Sequence, residues 1–369
     1  MRQIVFRVDS SRSIGSGHVM RCLALAEQIR RASPSTAICF VCKRHIGNVN
    51  NWIRQRGFYL LELDLQTGDP QKFTMPESHE RSLPSHHMWV GGSIESDGEE
   101  TANYCKKQGV TWVVVDHYGL DYRWERILSE LGVRLLAVDD LCDRVHDCDA
   151  LLDQTYLRKT KDYADLVPQK TKLLLGPDYA LISRKFREKR LIQRNRKSQS
   201  TCAFKVLITF GGSDPADFTN KTLEVLKRQT WFAKLELTVV LGPQYENRDL
   251  VESSLKEFKT ARILSSVTNI SDLMLEADAC VSAAGSTVWE LCCLGVPSII
   301  IPTATNQRDI AKHLGDRKVM LRAQDVAEIP NLLNQLITDQ AIREVLSDNA
   351  RRVCDGRGAE IVAEMITAI

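Results

Sequence analysis

The stretch VFRVDSSRSIGSGHVMRCLALA, residues 5–26, decides the fold class. An apolar run ends in Asp9, a loop of Ser and Gly follows, and an amphipathic stretch starts at His18. In HVMRCLALAEQIRRA (18–32), Val19, Cys22, Leu23, Ala26 and Ile29 recur on one helical face. A buried strand, a glycine turn and a helix make up one half of a βαβ unit.

The alternation continues along the chain. In the first half the strands read as IVFRVD (4–9), AICFVC (37–42), YLLEL (59–63), WVVVD (112–116), RLLAVDD (134–140) and KLLLG (172–176). In the second half they read as KVLITF (205–210), LELTVVLG (235–242), ARIL (261–264), ACVSA (279–283) and PSIIIP (297–302). Near-continuous apolar strands between helices predict parallel sheets covered on both faces. A chain of 369 residues is long for one core. The expected fold is therefore α/β, with two Rossmann-like domains facing across a cleft. The expected bounds are 1–183 for the first domain, 184–204 for a basic linker and 205–369 for the second. The linker reading rests on SRKFREKRLIQRNRKSQS (183–200), with eight basic residues and one acid between Arg184 and Lys197. Residues 65–98 have no period and read as a long loop that leaves His79, His86 and His87 in solvent.

Composition narrows the function. Lys plus Arg total 49 against 47 for Asp plus Glu, which argues for neither nucleic acid nor a bulk membrane surface. No apolar run approaches the roughly 18 residues of a membrane span, and Arg7 and Asp9 break the N-terminal run as no signal peptide would. Without a secretion signal, eleven scattered cysteines read as the reduced thiols of a cytoplasmic protein, and the sequence makes no obligate protein partner evident. Cys39 and Cys42, three apart in a strand, point to opposite faces and make a poor metal pair. Cys142, His146 and Cys148 have closer to ligand spacing but lack a partner pair.

In open α/β sheets ligands bind beyond the carboxyl ends of the strands. Four segments occupy such places. In GSGHVMR, Gly15 and Gly17 permit a tight turn and a close backbone approach, without the third glycine of a dinucleotide fingerprint. His18 falls at the first helical turn, whose dipole favours a neutral imidazole. It reads either as a helix-start residue or as a general base. In VVVDHYGLD (113–121), Asp116, His117 and Tyr118 follow a buried strand and either face a ligand or cap a turn. In ITFGGSDPADFT (208–219), Gly211, Gly212 and Ser213 offer amides to a phosphate, and Asp214-Pro215 looks like an N-cap and first helical residue. In SAAGSTVWELCCLGVPSIIIPTATNQRDIA (282–311), Ser286 and Thr287 open a helix suited to an anion. There Glu290 either completes a capping box with Thr287 or accepts two ribose hydroxyls. Asn306, next to Gln307, either caps the following helix or faces the ligand. Together these make a nucleotide-diphosphate site in the second domain.

The segment RVDSSRSIGSGHVMRCLALA (7–26) closely resembles the N-terminal motif of the UDP-sugar hydrolases of pseudaminic acid biosynthesis. Those enzymes act on UDP-2,4-diacetamido-2,4,6-trideoxy-β-L-altropyranose. The resemblance continues through DHYGLD (116–121), VDDLCDRVHDCDALLDQ (138–154), GPDYALI (176–182), FGGSD (210–214), SAAGSTVWEL (282–291) and TNQ (305–307). The second-domain motifs are shared more broadly with GT-B glycosyltransferases of the MurG type and specify UDP rather than a reaction. Residues 65–98 match no motif.

The resemblance implies His18 as the base that activates water, Tyr118 near the sugar, and Gly17 where backbone approaches the anomeric carbon. It implies Glu290 on the ribose, Gly211, Gly212, Ser213, Ser286 and Thr287 on the diphosphate, and Asn306 and Gln307 on the sugar or diphosphate side. The implied reaction is C–O cleavage at the anomeric carbon with inversion, without a cofactor or metal. A UDP leaving group lessens the need for the carboxylate pair of ordinary glycosidases. The second domain shows no Asp-x-Asp-like metal motif at a strand end, and Asp139-Asp140 of the first reads as ordering a loop. Glycosyl transfer from a UDP-sugar and non-catalytic binding of one are the competing readings.

Overall fold

The computed structural model describes residues 2–66, 83–191, 203–265, 267 and 269–368. His79 and most of the basic run after Leu191 lie outside the described residues. The chain divides into two compact units, Met1–Leu181 with Ala359–Ile369, and Ile182–Gly358.

The first unit is a seven-stranded parallel sheet: β1 (Gln3–Val8), β2 (Ala37–Lys43), β3 (Tyr59–Leu63), β4 (Trp112–Asp116), β5 (Arg134–Val138), β6 (Ala150–Asp153) and β7 (Lys172–Leu175). Their order is β3-β2-β1-β4-β5-β6-β7. The helices α1 (Gly17–Ala32), α2 (Asn50–Gln55), α3 (Ile94–Gln108) and α4 (Tyr122–Ser129) connect its strands. Period-two alternation divides the side chains of β1. Ile4, Phe6 and Val8 join one core with Val19, Cys22 and Ile29 of α1. Val5 joins the other, with Trp124 and Leu128 of α4. Cys39 and Cys42 also enter different cores, as their spacing requires.

Arg7 interrupts this apolar pattern because it is paired. Its guanidinium donates to Asp97 of α3 at 2.9 and 2.7 Å and to Asp9 at 2.9 Å, with all three side chains fully buried. Trp124 Nε1 adds a bond to Asp97 at 2.9 Å. Burial opposes the charge on Asp9, but the Arg7 guanidinium beside it holds the carboxyl well below the usual range.

The second unit begins with α5 (Arg184–Arg190) and contains a six-stranded sheet. Its strands are β8 (Phe204–Thr209), β9 (Leu235–Leu241), β10 (Thr260–Ser265), β11 (Ala279–Ala283), β12 (Ser298–Ile301) and β13 (Leu321–Arg322), in the order β10-β9-β8-β11-β12-β13 and all parallel. Around them lie α6 (Phe218–Leu226), α7 (Arg248–Leu255), α8 (Ile270–Glu276), α9 (Thr287–Leu294), α10 (Arg308–Asp316), α11 (Ile329–Thr338) and α12 (Gln340–Val353). No helix among the described residues is long and apolar enough to cross a membrane.

Both sheets reverse strand order at one place, between β1 and β4 and between β8 and β11. Connections leave such neighbours in opposite directions and open a crevice at their carboxyl ends.

Two boundaries differ from the sequence reading. The first seven residues of the expected linker form α5, which buries Phe186 and packs on α8 and α9. The last helix, α13 (Gly358–Thr367), leaves the second unit and places Ala359, Val362, Ala363 and Ile366 in the α1-side core of the first. Residues 94–98, expected as loop, form the start of α3, capped by Ser93 accepting from Ser96 N.

The return of α13 makes a prediction. Ile366→Ala should cost about 2–4 kcal/mol, read as faster hydrogen exchange in β1 and β2 with β8 and β9 unchanged. Equal loss of protection in both units would contradict the assignment of α13.

Candidate active site

The crevice of the first unit is lined by side chains. His18, Arg21 and Cys22 lie three and four apart on α1, so one helical face presents all of them to the end of β4. There Asp116 is fully buried. His18 Nδ1 lies 2.6 Å from Asp116 Oδ1. Arg21 grips the same carboxylate bidentately, with Nε donating to Oδ2 at 2.6 Å and Nη2 to Oδ1 at 2.7 Å. The Cys22 thiol adds a weak bond to Oδ2 at 3.5 Å. Burial alone would push Asp116 up, but Arg21 and then His18 hold it well below the usual carboxylate range.

An ionised carboxylate only accepts, so His18 Nδ1 carries the proton of that bond. Nε2 is left with its lone pair: the ring's hydrogen-bond contacts among the described residues, to Asp116 and Arg21, are both at Nδ1. The imidazole is 10% exposed, which leaves one edge open. An imidazole held this way by a carboxylate has its tautomer and direction fixed and can accept a proton at Nε2.

Arg21 Nη1 also pairs with Asp140, just after β5. Asp140 in turn accepts from Tyr118 Oη at 2.9 Å. The Tyr118 ring packs edge-on against His18, centroids 4.6 Å apart at 82°. Burial, and then Asp140, raise the Tyr118 phenol well above its ordinary value, so it remains protonated. The Asp139-Asp140 pair divides its work. Asp139 orders the loop as expected, accepting from the backbone N–H groups of Leu141 and Cys142, both at 3.0 Å. Asp140 belongs to the site.

His117, the neighbour of Asp116, faces away. Its Nδ1 accepts from Gly119 N at 3.0 Å and its Nε2 lies 3.3 Å from Asp9, inside the Arg7 cluster. His86, expected in solvent, is half-buried with its ring 4.5 Å from Trp89 and 5.6 Å from Tyr118. His87 is also half-buried, with Nδ1 3.0 Å from the Pro84 carbonyl.

Gly15 has φ +79° and opens onto empty space, so the turn before α1 needs a residue without Cβ strain. Ser11 Oγ accepts from Ser13 N and Ile14 N and holds this turn. Gly17 is the first residue of α1, and Ser16 at its N-cap makes no side-chain cap.

The equivalent crevice of the second unit is lined by backbone. Gly211 has φ +86° with open space where a Cβ would stand. The β9 end is packed against it: a Cβ on Gly242 would lie 2.1 Å from the Gly212 carbonyl oxygen. Gln244 N donates to that oxygen at 3.1 Å. The helix start expected at Asp214-Pro215 comes later, because Asp214 takes φ +41° and α6 begins at Phe218. Asp214 still caps α6, accepting from Phe218 N at 2.9 Å and Thr219 N at 2.8 Å.

Beyond β11, α9 begins with Ser286 at its N-cap and no side-chain cap. The N–H groups of Gly285, Ser286 and Thr287 have no acceptor among the described residues. The capping box does not form, so Glu290 is not spent on its own helix. Burial pushes its carboxyl up to about 8, with no cation offsetting it. Nor does Asn306 cap α10; it lies in the turn Thr305–Gln307 and the N-cap is Gln307. The Gln307 amide oxygen accepts from Thr303 N at 2.9 Å, and its Nε2 is the nearest atom to a Cβ built on Gly285, at 3.5 Å. The structure therefore gathers Gln307 beside the α9 N-terminus.

Residues 206–353 match the glycosyltransferase family 28 C-terminal domain. The chain is similar to MurG of Acinetobacter baumannii, with a TM-score of 0.63 over 100% of both chains at 15% identity. The fold is that of the GT-B glycosyltransferases. It is 25% identical to UDP-2,4-diacetamido-2,4,6-trideoxy-beta-L-altropyranose hydrolase of Campylobacter jejuni, over 85% of this chain and 97% of that protein. It is 23% identical to an uncharacterized protein of Methanocaldococcus jannaschii over 83% of this chain, spanning 57% of that longer protein.

Sequence reasoning did not find Arg21, Asp140, His86 or Trp89. For Arg21 the signal was present: a basic residue three after His18, on the face that carries Cys22 and Leu25 inward.

Next to the site, His146 joins α4 to the end of β5, with Nδ1 2.7 Å from Glu125 and Nε2 3.6 Å from Asp139. Burial disfavours its charge, but Glu125 and Asp139 outweigh both burial and nearby Arg144 and raise it to about 9. A raised histidine stabilises fully below its unfolded value of about 6.5, and this contribution is lost as pH rises through about 9. Urea unfolding of the first unit should therefore weaken by roughly 3 kcal/mol between pH 6 and 9.5, and His146→Gln should flatten that change. An unchanged pH profile in the variant would contradict it.

Proposed function

We propose that the protein is a nucleotide-sugar hydrolase. It splits a UDP-linked 2,4-diacetamido-2,4,6-trideoxy sugar of the L-altro type into UDP and free sugar, a reaction of pseudaminic acid biosynthesis. The observation that carries this reading is the His18–Asp116 pair, whose contacts at Nδ1 leave Nε2 unspent. The similarity to the Campylobacter hydrolase along most of both chains supports it.

His18 Nε2 takes a proton from water as the oxygen attacks the anomeric carbon, and the C–O bond to UDP breaks on the opposite face. The product sugar is inverted and UDP leaves with the bonding electron pair. Asp116, locked by Arg21, keeps the imidazole directed and balances the charge it gains. Tyr118 orients the sugar, and Gly17 lets backbone and imidazole come near the reacting carbon. In the second unit Gly211, Gly212, Ser213, Ser286 and Thr287 hold the diphosphate through amides and hydroxyls, which stabilises the charge developing on the leaving group. Glu290 holds the ribose hydroxyls, and Asn306 and Gln307 take the sugar or diphosphate side.

The family 28 match of residues 206–353 favours a second reading, transfer of the sugar to an acceptor hydroxyl. The two separate in one assay. With UDP-sugar and no acceptor, hydrolysis releases UDP and free sugar; no release without an acceptor would sink it.

Three outcomes follow from the roles. His18→Asn should lower kcat by about 10²–10⁴-fold while UDP binds within about threefold of wild type by calorimetry; near-wild-type kcat would remove His18 as base. Glu290→Ala should weaken UDP binding by roughly tenfold, through loss of the acceptor for the ribose hydroxyls. Because amides and helix ends serve the diphosphate, turnover should persist in EDTA. Loss restored by Mg²⁺ would overturn that assignment.

A further inference from the structure

We propose that Trp89, backed by His86, is the platform that selects the sugar beside His18, favouring a neutral sugar with an apolar face, such as an N-acyl methyl or a deoxy carbon. This deepens the functional reading above and rests on it for the placement of the sugar at His18.

The turn His87–Val90 precedes α3 and comes from the stretch that matched no motif. It brings Trp89 into a cluster of rings. Trp89 stacks on Tyr118 with centroids 5.9 Å apart at 23°, lies edge-on to His18 at 6.3 Å, and meets His86 at 4.5 Å. The indole is half-buried, and its side-chain contacts among the described residues are to the rings of His18, His86 and Tyr118. It thus presents both an apolar ring and an unspent donor next to the open edge of the base.

The platform is anchored. Val90 is buried in the α3–α4 core. Ser85 Oγ donates to Asp143 at 3.3 Å. Gly119 of the DHYGLD segment admits the turn: a Cβ there would stand 2.6 Å from the His86 carbonyl oxygen and 3.0 Å from Val90 Cγ2. That glycine has no positive φ, so close approach is what requires it.

The chemistry of the wall selects the ligand. The nearby charges are paired: Arg21 with Asp116 and Asp140, and Arg144, which lies over the Tyr118 ring, with Asp139 and Asp143. Burial lowers the His86 imidazole, which leaves it neutral at neutral pH. A ring face among paired charges takes C–H-bearing faces and methyl groups, and the indole N–H suits an acyl carbonyl. A charged sugar would lose its hydration there without an unpaired buried ion to replace it.

The test reads binding rather than turnover. In a His18→Asn background, calorimetry compares UDP, UDP-glucose and UDP-2,4-diacetamido-2,4,6-trideoxy-β-L-altropyranose. The diacetamido sugar nucleotide should bind at least tenfold tighter than UDP-glucose. Adding Trp89→Ala should collapse that ratio to within about twofold and leave UDP itself within twofold, while Trp89→Phe retains most of it. Gly119→Ala, which displaces the turn, should reduce the ratio in the same way. A ratio unchanged by Trp89→Ala, no preference at the outset, or an equal loss for all three ligands would each overturn the platform. Failure of wild-type protein to release UDP without acceptor would instead overturn hydrolysis and leave the platform standing.

Discussion

The carboxylate of Asp116 is the point on which the arrangement at the first unit's crevice depends. It stands at the end of β4, where the strand order reverses, fully withdrawn from water. A lone buried charge there would cost several kcal/mol. Arg21 and His18 make it tolerable, and both come from one face of α1. The same contacts that stabilise the anion fix the direction of the imidazole and leave Nε2 free. Stability and site geometry therefore rest on the same bonds, and removing Asp116 would leave Arg21 with Asp140 alone as well as releasing the histidine.

The pattern repeats along the sheet. Asp9 follows β1 and accepts from Lys43 N at 2.7 Å; Asp153 ends β6 and accepts from Thr155 N at 2.8 Å. Asp139 does the same after β5. Each acid ties a strand end to a loop, and an arginine sits on each: Arg7 on Asp9, Arg158 on Asp153, Arg144 on Asp139. The second unit uses the same topology with the opposite lining. Its crevice offers glycine backbone and the start of α9 in place of paired acids. Acids would repel a diphosphate, whereas unspent amides attract one.

Much of this was legible in the sequence because the strands are nearly continuous apolar runs. What escaped was short or long-range. β6 is four residues within an acid-rich segment, and β13 is two residues, too few for a period. The return of α13 to the first unit is a choice between two apolar surfaces, which no local pattern encodes. His18 was legible from its place after a glycine turn, but its orientation depends on Asp116, 98 residues away. The Glu290 alternatives were local and still could not be separated, since a capping box and a free carboxylate share one spelling; the absent cap decides against the first. Trp89 was hidden in a stretch without period, where only the close approach at Gly119 shows what the turn does.

The central claim is that Asp116 holds His18 with its proton on Nδ1 and its lone pair on Nε2. Nitrogen-15 NMR of the imidazole side chains, with the His18 resonances assigned by loss in His18→Asn, measures this directly. The account predicts a protonated Nδ1 with a strongly deshielded proton and an Nε2 in the unprotonated range when the ring is neutral. A neutral ring with its proton on Nε2 would contradict it.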